Sequence, residues 1–511
     1  MPKKERKESK MFRKKLKMLA NGFLESRKNA NNLVDILGCV KEEGADLQPW
    51  SLAVEDIFSE VLQKREMMKR PEKSPGVSSK ADYPTWLREC YDDAVKILIN
   101  ILEYGEHVDQ SQALNTLMKL VSLEGKYPLK QDVKETYFPA GRMKAIVHKL
   151  LSSDLEMKPV ISQLSEWSLC PDVRHYVWTI LVPFVKHQEA PSDVMQCNIF
   201  SLLDVILPEK MGNEKKKDSK VPSPLCHIEG NAPFEFDEKL EVRWLDSVWK
   251  EIGKWKRKEI ATHHQMLMLL LTKVLHRLTN PLHLTDLLFD SFEQGGSTSL
   301  LSLQGIFILI QKHNLEYPNI YAKLYSLFEP QLFSTKYKSR LFYLADIFMS
   351  SSHLPESMVA SFVKRLSRLA LAAPPLDISL MLAFIGNLII RHPGLKKMMN
   401  NPGGGTVDSD PFLSEEGDPM KTMALESSLW EIKALQRHVL PSVATAARFI
   451  DKPMPSVEWD LEPLLDGCLE KMFEVECKKK FLEVPLTFEK PRLPCQPHRK
   501  DDVFAKFWRL C

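Results

Sequence analysis

The sequence predicts an all-α protein: an α-solenoid of HEAT-like helical repeats, arranged as two helical blocks joined by a charged linker. Three observations lead to this prediction. Helical periodicity recurs over most of the 511 residues, strand-type alternation is nearly absent, and the central helices follow one another on short connections. Consecutive amphipathic helices on short turns typically stack on their neighbours and bury one face there.

The helical pattern is clearest over residues 299–355. Its first stripe has the i, i+3, i+7, i+10 spacing of one helix face and consists of Leu300, Leu303, Phe307 and Ile310. A second helix is predicted to begin at Pro318, because the fixed φ of proline suits a first helical turn. A third stripe ends at Phe348, and two further helices are predicted after Pro355 and Pro375.

The predicted domain boundaries follow changes in composition along the chain. The linker contains the charged, proline-punctuated sequence PEKMGNEKKKDSKVPSPLCHIEGNAP. We predict a basic disordered tail at 1–20, an N-terminal helical-repeat region at 21–207, the linker at 208–233, a helical core at 234–399, an acidic and glycine-rich loop at 400–420, C-terminal helices at 421–484 and a tail at 485–511.

Bulk composition favours no particular class of partner, because 70 basic and 67 acidic residues nearly balance. The nine cysteines are scattered, with no C-x-x-C pair, which is typical of reduced thiols in a cytosolic or nuclear protein. The basic N-terminus lacks an apolar segment before a small-residue cleavage site, so we predict no secretory signal. We therefore expect the protein to stay inside the cell.

Three apolar segments, at 294–311, 341–354 and 378–390, resemble membrane spans by hydropathy. None supplies the roughly 20 predominantly apolar residues that a membrane-spanning helix needs. Buried helices of a repeat protein give the same hydropathy signal. We therefore expect these segments to be buried, with association to the nuclear membrane as the alternative.

The first 17 residues contain nine lysines and arginines against two glutamates. Such a run is typical of a nuclear-localisation signal or a nucleic-acid patch, and a solvated disordered tail explains it equally well. The candidate nuclear-localisation residues are Lys3, Lys4, Arg6, Lys7, Arg13, Lys14, Lys15 and Lys17.

A basic helix is predicted at 242–260, with an apolar face formed by Trp244, Val248, Ile252 and Trp255. Its other side could bind RNA phosphates, with Trp249 available to stack on a base. The pattern favours the plainer interpretation, a solvated basic face above a core contact. The candidate RNA contacts are Lys250, Lys254, Lys256, Arg257 and Lys258.

The sequence contains no motif that predicts catalysis. A phosphate-binding loop, a strand-linked G-x-G-x-x-G and a G-x-S-x-G elbow are all missing, and the histidines lack the spacing of a metal site. The glycines at 403–405 are interpreted as a flexible loop, and Cys226 as an exposed ordinary thiol. We expect no enzymatic activity, no cofactor and no metal.

Four segments resemble the CCAAT-binding-factor (CBF) domain family, so the predicted core is of CBF type. They are GIFILIQKHNLEYPNIYAKLYSLFEP at 305–330, KYKSRLFYLADIFMSSSHLP at 336–355, VASFVKRLSRLALAAPP at 359–375 and DPMKTMALESSLWEIKALQRH at 418–438. The resemblance is dense over 287–443 and faint before the linker. The last family motif commonly ends in His-Tyr-His-Pro, whereas this chain has His438-Val439-Leu440-Pro441.

The resemblance implies a non-enzymatic nucleolar factor of ribosome biogenesis. It further implies a role in small (40S) subunit assembly, 18S rRNA maturation and pre-ribosome export, through a complex with nucleolar protein 14. Pre-rRNA would then be contacted indirectly or weakly. The alternative that the residues leave open is a pre-ribosome factor that binds RNA directly.

The candidate contacts with a protein partner lie in the loop at 400–419 and in a helix predicted at 426–438. Trp430 falls off the apolar stripe of that helix, so it either anchors an interface or covers a neighbouring helix. The candidate partner-binding residues are Trp430, Glu426, Leu429, Lys433 and Arg437.

Overall fold

In the computed structural model of the protein, every regular element of the described part is helical. The described residues are 3–41, 47–68, 82–129, 137–207, 223–226, 234, 236–256, 259–315, 319–351, 353–405, 408–467 and 469–478. The all-α prediction is confirmed.

The chain divides into two compact units, Met1–Tyr317 (unit 1) and Pro318–Cys511 (unit 2). The α-helices of unit 1 are α1 Lys3–Glu25, α2 Asn31–Gly38, α3 Leu47–Gln63, α4 Asp82–Tyr104, α5 His107–Lys126, α6 Ala140–Leu150, α7 Lys158–Gln163, α8 Ser165–Ser168, α9 Pro171–Lys186, α10 Asp193–Ile206, α11 Glu238–Ile252, α12 Ile260–Leu269, α13 Thr285–Glu293 and α14 Gly296–His313.

Unit 2 begins at Pro318, two residues before its first α-helix. Its α-helices are α15 Ile320–Ser326, α16 Lys338–Phe348, α17 Glu356–Ala370, α18 Pro375–Arg391, α19 Lys396–Met399, α20 Trp430–Leu435, α21 Pro441–Ala447, α22 Glu462–Leu465 and α23 Leu469–Lys478. Short 3₁₀ turns occur at Arg27–Asn29, Cys39–Lys41, Pro281–Leu284, Pro330–Ser334, Pro393–Leu395, Ala424–Glu426 and Arg448–Asp451, and Leu270–Val274 is a π-helical turn.

The helices of unit 1 contact their neighbours in a repeating order. In one series α3 contacts α5, α5 contacts α7, α7 contacts α10, α10 contacts α12 and α12 contacts α14. In the other, α4 contacts α6, α6 contacts α9 and α9 contacts α11. Contacts restricted to neighbouring elements are the hallmark of stacked helical repeats.

The boundary predicted at the linker is wrong, because the helices that follow the linker belong to unit 1. Helix α11 packs against α9, and α12 packs against α10. Glu241 on α11 is nearly buried and accepts hydrogen bonds from Arg174 at 2.7 Å and from the indole of Trp178 at 3.2 Å. These contacts join the segment after the linker to the N-terminal helices, so the units divide at residue 317.

The predicted disordered tail at 1–20 is also wrong, because helix α1 covers Lys3–Glu25 and contacts α2 and α3. Leu16, Ala20 and Phe23 are buried. Their i, i+4, i+7 spacing places them on one face of the helix, and burial of this apolar face holds α1 against the following helices.

A short piece of the predicted linker, residues 223–226, is docked on unit 1. The backbone N–H groups of Leu225 and Cys226 donate to the Asp172 carboxylate at 3.0 and 2.8 Å. Cys226 is 4% exposed, so the interpretation of an exposed thiol is wrong, and burial raises the pKa of this thiol above its ordinary value. A Cβ added at Gly125 would lie 2.3 Å from its sulfur, so this close approach requires glycine. Residues 208–222 and 227–233 lie outside the described residues.

Unit 2 has a core of T-shaped aromatic pairs, with centroid separations of 5.2 to 6.0 Å, among Tyr325, Phe328, Phe342, Phe362 and Phe384. Helix α18 contributes its apolar length to this core and contacts α17, α21 and α22.

Trp459 packs directly on α18. A Cβ added at Gly386 would lie 2.2 Å from the Trp459 ring. Asn387 holds the same residue, since it accepts from the Trp459 N–H at 2.8 Å and donates to its carbonyl at 2.9 Å.

The three apolar segments lie mainly in α14, α16 and α18, and most of their apolar side chains are buried within their own units. Among the described helices, none alone has the length and apolar character of a membrane span. Pro375–Arg391 and Pro393–Met399 reach that threshold only when taken together, with a bend of 115° between them.

Candidate protein-binding site

Unit 2 encloses two cations and two carboxylates, which we call the charge cluster: Lys364, Arg368, Asp410 and Glu431. Lys364 is fully buried, and its Nζ lies 2.7 Å from Glu431 Oε1 and 2.9 Å from Asp410 Oδ2. Arg368 binds the same carboxylates, at 2.7 Å from Asp410 and 2.8 Å from Glu431. Each charge therefore has two partners of opposite sign.

The local sequence explains how this arrangement forms. Lys364 and Arg368 lie one turn apart on α17, so both side chains project from the same face. Glu431 is in the first turn of α20, and Asp410 comes from the loop at 400–420. The cluster thus ties a helix, a loop and a second helix together. A buried charge is costly unless it is paired and hydrogen-bonded, and here every charge is.

Asp410 is the acceptor that orders the loop. Its carboxylate accepts hydrogen bonds from Ser427 Oγ at 2.6 Å, the Trp430 indole at 2.9 Å and the Phe412 N–H at 3.0 Å. Burial alone would raise the pKa of Asp410, but the donors Ser427, Lys364, Trp430 and Phe412 outweigh it and hold that pKa well below its usual range.

Glu431 behaves in the opposite way. Burial raises its pKa, although Lys364 and Arg368 both favour the ionised form. The two carboxylates of the charge cluster therefore have pKa values displaced in opposite directions.

The glycine segment of the loop is closely packed, so the interpretation of a flexible loop is wrong at Gly404 and Gly405. A Cβ at Gly404 would lie 2.7 Å from the Ser428 nitrogen, and the Ser428 N–H donates to the Gly404 carbonyl at 3.0 Å. Gly405 has a φ of +80°, a conformation that residues with a Cβ rarely adopt. The glycines permit close approach of the loop to the segment before α20.

Trp430 is half-buried and packs against α17. Its ring centroid lies 5.3 Å from Lys364 Nζ and 5.2 Å from the guanidinium carbon of Arg368, within the range of cation–π contacts. Trp430 thus covers a neighbouring helix, which was one of the two interpretations of its off-stripe position. It also lines a groove of about 310 Å³ together with Asn400, Pro402 and Lys433.

The other candidate partner contacts differ in exposure. Glu426, Lys433 and Arg437 are exposed, whereas Leu429 is 1% exposed and belongs to the core. The predicted helix at 426–438 is shorter in the structure, where α20 covers Trp430–Leu435. Ser427 is extended, with φ −80° and ψ 175°, and its hydroxyl donates to Asp410.

Comparison with known proteins places most of this chain in one family. The chain is 36% identical to nucleolar complex protein 4 homolog B of Xenopus laevis, over 92% of this chain and 91% of that relative. It is 35% identical to the Homo sapiens homolog, over 91% of this chain and 92% of the relative. The chain belongs to the nucleolar complex protein 4 family.

Two family profiles divide this nucleolar complex protein 4 family member into regions. Residues 299–447 match the CBF/Mak21 family, and residues 5–190 match the nucleolar complex protein 4-like TPR repeats. The charge cluster and Trp430 lie within the first match. The Gallus gallus homolog is 33% identical over 98% of this chain and all of its own length.

The candidate RNA contacts lie between the two matched regions. Lys250, Lys254 and Lys256 are exposed, whereas Arg257 and Lys258 lie outside the described residues. Lys254 is paired with Glu251 at 2.9 Å. The predicted helix at 242–260 ends earlier, since α11 ends at Ile252.

The proposed stacking role of Trp249 is wrong, because this side chain is 1% exposed. Leu245, Val248, Trp249 and Ile252 are all buried. Their i, i+3, i+4, i+7 spacing is that of a helix face, so the sequence did carry the signal that identifies Trp249 as a core residue.

The candidate nuclear-localisation residues all lie on α1. Arg13, Lys14, Lys15 and Lys17 are exposed. The backbone of α1 includes four more of them, whose side chains are outside the described part of the chain: Lys3, Lys4, Arg6 and Lys7.

Sequence reasoning missed the charge cluster. Glu431 lies 67 residues from Lys364, and no local pattern pairs charges at that distance. The available signal was a lysine within a helix whose buried residues extend around more than one face, from Val359 to Ala370.

Proposed function

We propose that this protein is a non-enzymatic nucleolar scaffold of ribosome biogenesis. It acts in small (40S) subunit assembly, 18S rRNA maturation and pre-ribosome export, in a complex with a nucleolar protein 14-like partner. The observation that carries this proposal is the relationship to nucleolar complex protein 4 homologs, at 33 to 36% identity over more than nine-tenths of the chain.

The surface of unit 2 supports a role in binding a protein. The loop that Asp410 orders presents three half-exposed apolar side chains, Leu413, Met420 and Met423. The Leu413 N–H donates to the Thr422 carbonyl at 3.0 Å, which closes the loop on itself. Exposed methionines and leucines on an ordered loop are suited to contact a protein, because Met is enriched in interfaces.

The charge cluster adds preorganisation to this surface. Because Asp410 is held by five donors, the loop does not have to be ordered when a partner binds. An ordered loop loses less conformational entropy on association, and affinity rises accordingly. The groove beside Trp430 and Lys433 extends the same region.

The proposal can be tested by recovering the tagged chain from nuclear extract in low and high salt, without detergent. We expect a stoichiometric nucleolar protein 14-like partner that survives high salt, and small-subunit precursor RNA that is lost. Substitution of Leu413→Ser with Met423→Ser should release the partner. The matched control Val457→Ser changes another exposed apolar residue of unit 2 and should not.

A second candidate function is direct RNA binding, which the three exposed lysines at 250, 254 and 256 favour. Phosphate contacts make affinity strongly salt-dependent. RNA retained without a stoichiometric protein, and lost in K250E/K254E, would favour this function over the scaffold. Extraction that requires detergent would instead favour association with the nuclear membrane.

A further inference from the structure

Unit 1 contains a cavity of about 820 Å³ that neither family match covers. It is lined by the last turns of α11, by the segment at 278–287, by α13 and by Trp255 and His263. Cavities of roughly 300–1,000 Å³ are typical of ligand-binding sites. The volume is sufficient for a few residues of an extended peptide.

Trp249, one of the lining residues, has a buried hydrogen-bond donor without a partner among the described residues. Trp249 lines the cavity, is 1% exposed, and its indole N–H has no partner within the described residues. Buried tryptophan N–H groups usually find an acceptor. The neighbouring Trp255 does so, since its indole donates to the Gln188 carbonyl at 3.1 Å. The Trp249 nitrogen exposes less than 1 Å² of surface, so an acceptor bound in the cavity would reach its N–H only after the ring turns.

The charges at the cavity favour a cationic ligand. Asp286 and Asp290 are exposed one turn apart on α13, and neither is paired within the described residues. Of the other charged groups, Asp246 accepts from the uncharged donors of Thr279 and keeps its negative charge, and Lys254 is paired with Glu251. Among the described residues at the cavity, this leaves Lys250 as an unpaired cation and Asp286 and Asp290 as unpaired carboxylates. A phosphate placed here would meet like charge, which is unfavourable.

We propose that this cavity binds a short extended segment of a partner protein that carries a lysine or an arginine. A backbone carbonyl of the segment accepts the Trp249 N–H, and its basic side chain pairs with Asp286 and Asp290. Arginine suits this pair best, because its guanidinium binds carboxylates in a bidentate manner. The site does not depend on the proposed small-subunit role or on a particular partner.

Selection from a displayed library of random heptapeptides on the full-length chain tests this proposal. We expect the selected peptides to be enriched in arginine or lysine next to apolar residues. The affinity of a selected peptide, measured by fluorescence anisotropy, should fall at least tenfold in D286K/D290K. It should also fall several-fold in W249F, which removes the donor and keeps an apolar ring.

The matched control is E89K/D93K, which reverses two exposed carboxylates one turn apart on α4, away from the cavity. Its affinity for the peptide should match that of the wild type. Thermal unfolding verifies that each variant folds. If D286K/D290K does not fold, D286N/D290N removes the charges with little change of shape and should also weaken binding.

Three outcomes would overturn the proposal. The library could yield no peptide, or peptides without basic residues, or peptides whose affinity is the same in D286K/D290K. A labelled 15-nucleotide oligouridylate provides the RNA comparison. If it binds the wild type, is lost in K250E/K254E and binds D286K/D290K more tightly, the cavity mouth is an RNA site instead.

Discussion

Trp430 in unit 2 and Trp249 in unit 1 occupy opposite kinds of environment. The indole N–H of Trp430 donates to a buried carboxylate, and its ring contacts two cations whose charges are paired. The indole N–H of Trp249 is buried without a partner among the described residues, and the residue is part of the lining of a large cavity. The more exposed tryptophan is thus the one that is internally satisfied.

The two sites therefore differ in hydrogen bonding: the polar groups around Trp430 have partners, whereas the donor of Trp249 has none among the described residues. In unit 2, the polar groups around Trp430 satisfy one another, so a partner can use only the outer surface of the loop and helix. In unit 1, a buried donor and two exposed carboxylates have no partner among the described residues, and the proposed peptide site rests on these groups. Judged by exposure alone, Trp430 would be assigned to ligand binding and Trp249 to the core.

Replacement of Lys364 should have the largest effect on stability, and it tests whether the charge cluster is internally paired. K364A leaves Asp410 and Glu431 buried with one cation fewer, and removing one partner of a buried pair costs about 3–5 kcal/mol. Equilibrium urea unfolding measures the loss, with hydrogen exchange at 408–435 to assign the transition. K433A, an exposed lysine of the same unit, should change stability by less than about 0.5 kcal/mol. A loss for K364A as small as that of K433A would contradict a completed cluster.

Double-mutant cycles on the two tryptophans would sharpen the comparison. The cycle of W430F with D410N should give a coupling of about 1.5–3 kcal/mol, since it isolates a hydrogen bond to a charged group. The cycle of W249F with D246N should give less than about 0.5 kcal/mol, because Asp246 accepts from Thr279. Equal couplings in the two cycles would remove the distinction between the sites.

A third substitution tests how tightly unit 2 is closed. G386A adds a methyl group 2.2 Å from the Trp459 ring, and overpacking of this kind costs about 1–3 kcal/mol. The control G141A lies on α6 with nothing within 4 Å of the added atom, and should be neutral or stabilising by up to about 1 kcal/mol. Thermal unfolding of the two variants measures the difference. A neutral G386A would indicate free space that the structure does not contain.

The smallest effect concerns pH. The pKa of folded Asp410 lies below its ordinary value of 3.8, so the unfolded chain binds more protons in this range. The contribution of Asp410 to stability is therefore present above about pH 4 and is lost as the pH falls further. Burial raises the pKa of Glu431, whose own contribution has the opposite sign and favours folding at low pH. The difference in unfolding temperature between wild type and D410N should accordingly shrink from pH 6 to pH 3. A constant difference would show that Asp410 keeps its ordinary pKa.

Local sequence patterns predicted the helices of unit 2 well and its interior charges poorly. The helices expected after Pro355 and after Pro375 begin at Glu356 and at Pro375 itself, because proline and hydrophobic spacing act within a few residues. The pairing of Lys364 with Asp410 and Glu431 joins distant segments, and no periodicity encodes it. The predicted boundary at the linker is wrong for the same reason, since the Arg174–Glu241 pair connects helices on either side of that linker.

Trp249 illustrates a different error. A stripe counted in steps of four, through Trp244, Val248 and Ile252, left Trp249 on the polar side. The i, i+3, i+4, i+7 stripe places it in the core, as observed. The cavity beside it depends on elements that are apart in sequence, so correct counting would have found the buried ring but not the open donor.

The thiol of Cys226, in the docked segment at 223–226, reports on dissociation of this segment from the rest of unit 1. Cys226 is enclosed by Gly125 and hydrogen-bonded through its backbone to Asp172, so a thiol reagent reaches the sulfur only when this segment leaves α5 and α9. Cys477 is exposed and would react at once. The delay between the two reactions measures how often the segment at 223–226 leaves its site on unit 1, without any engineered cysteine.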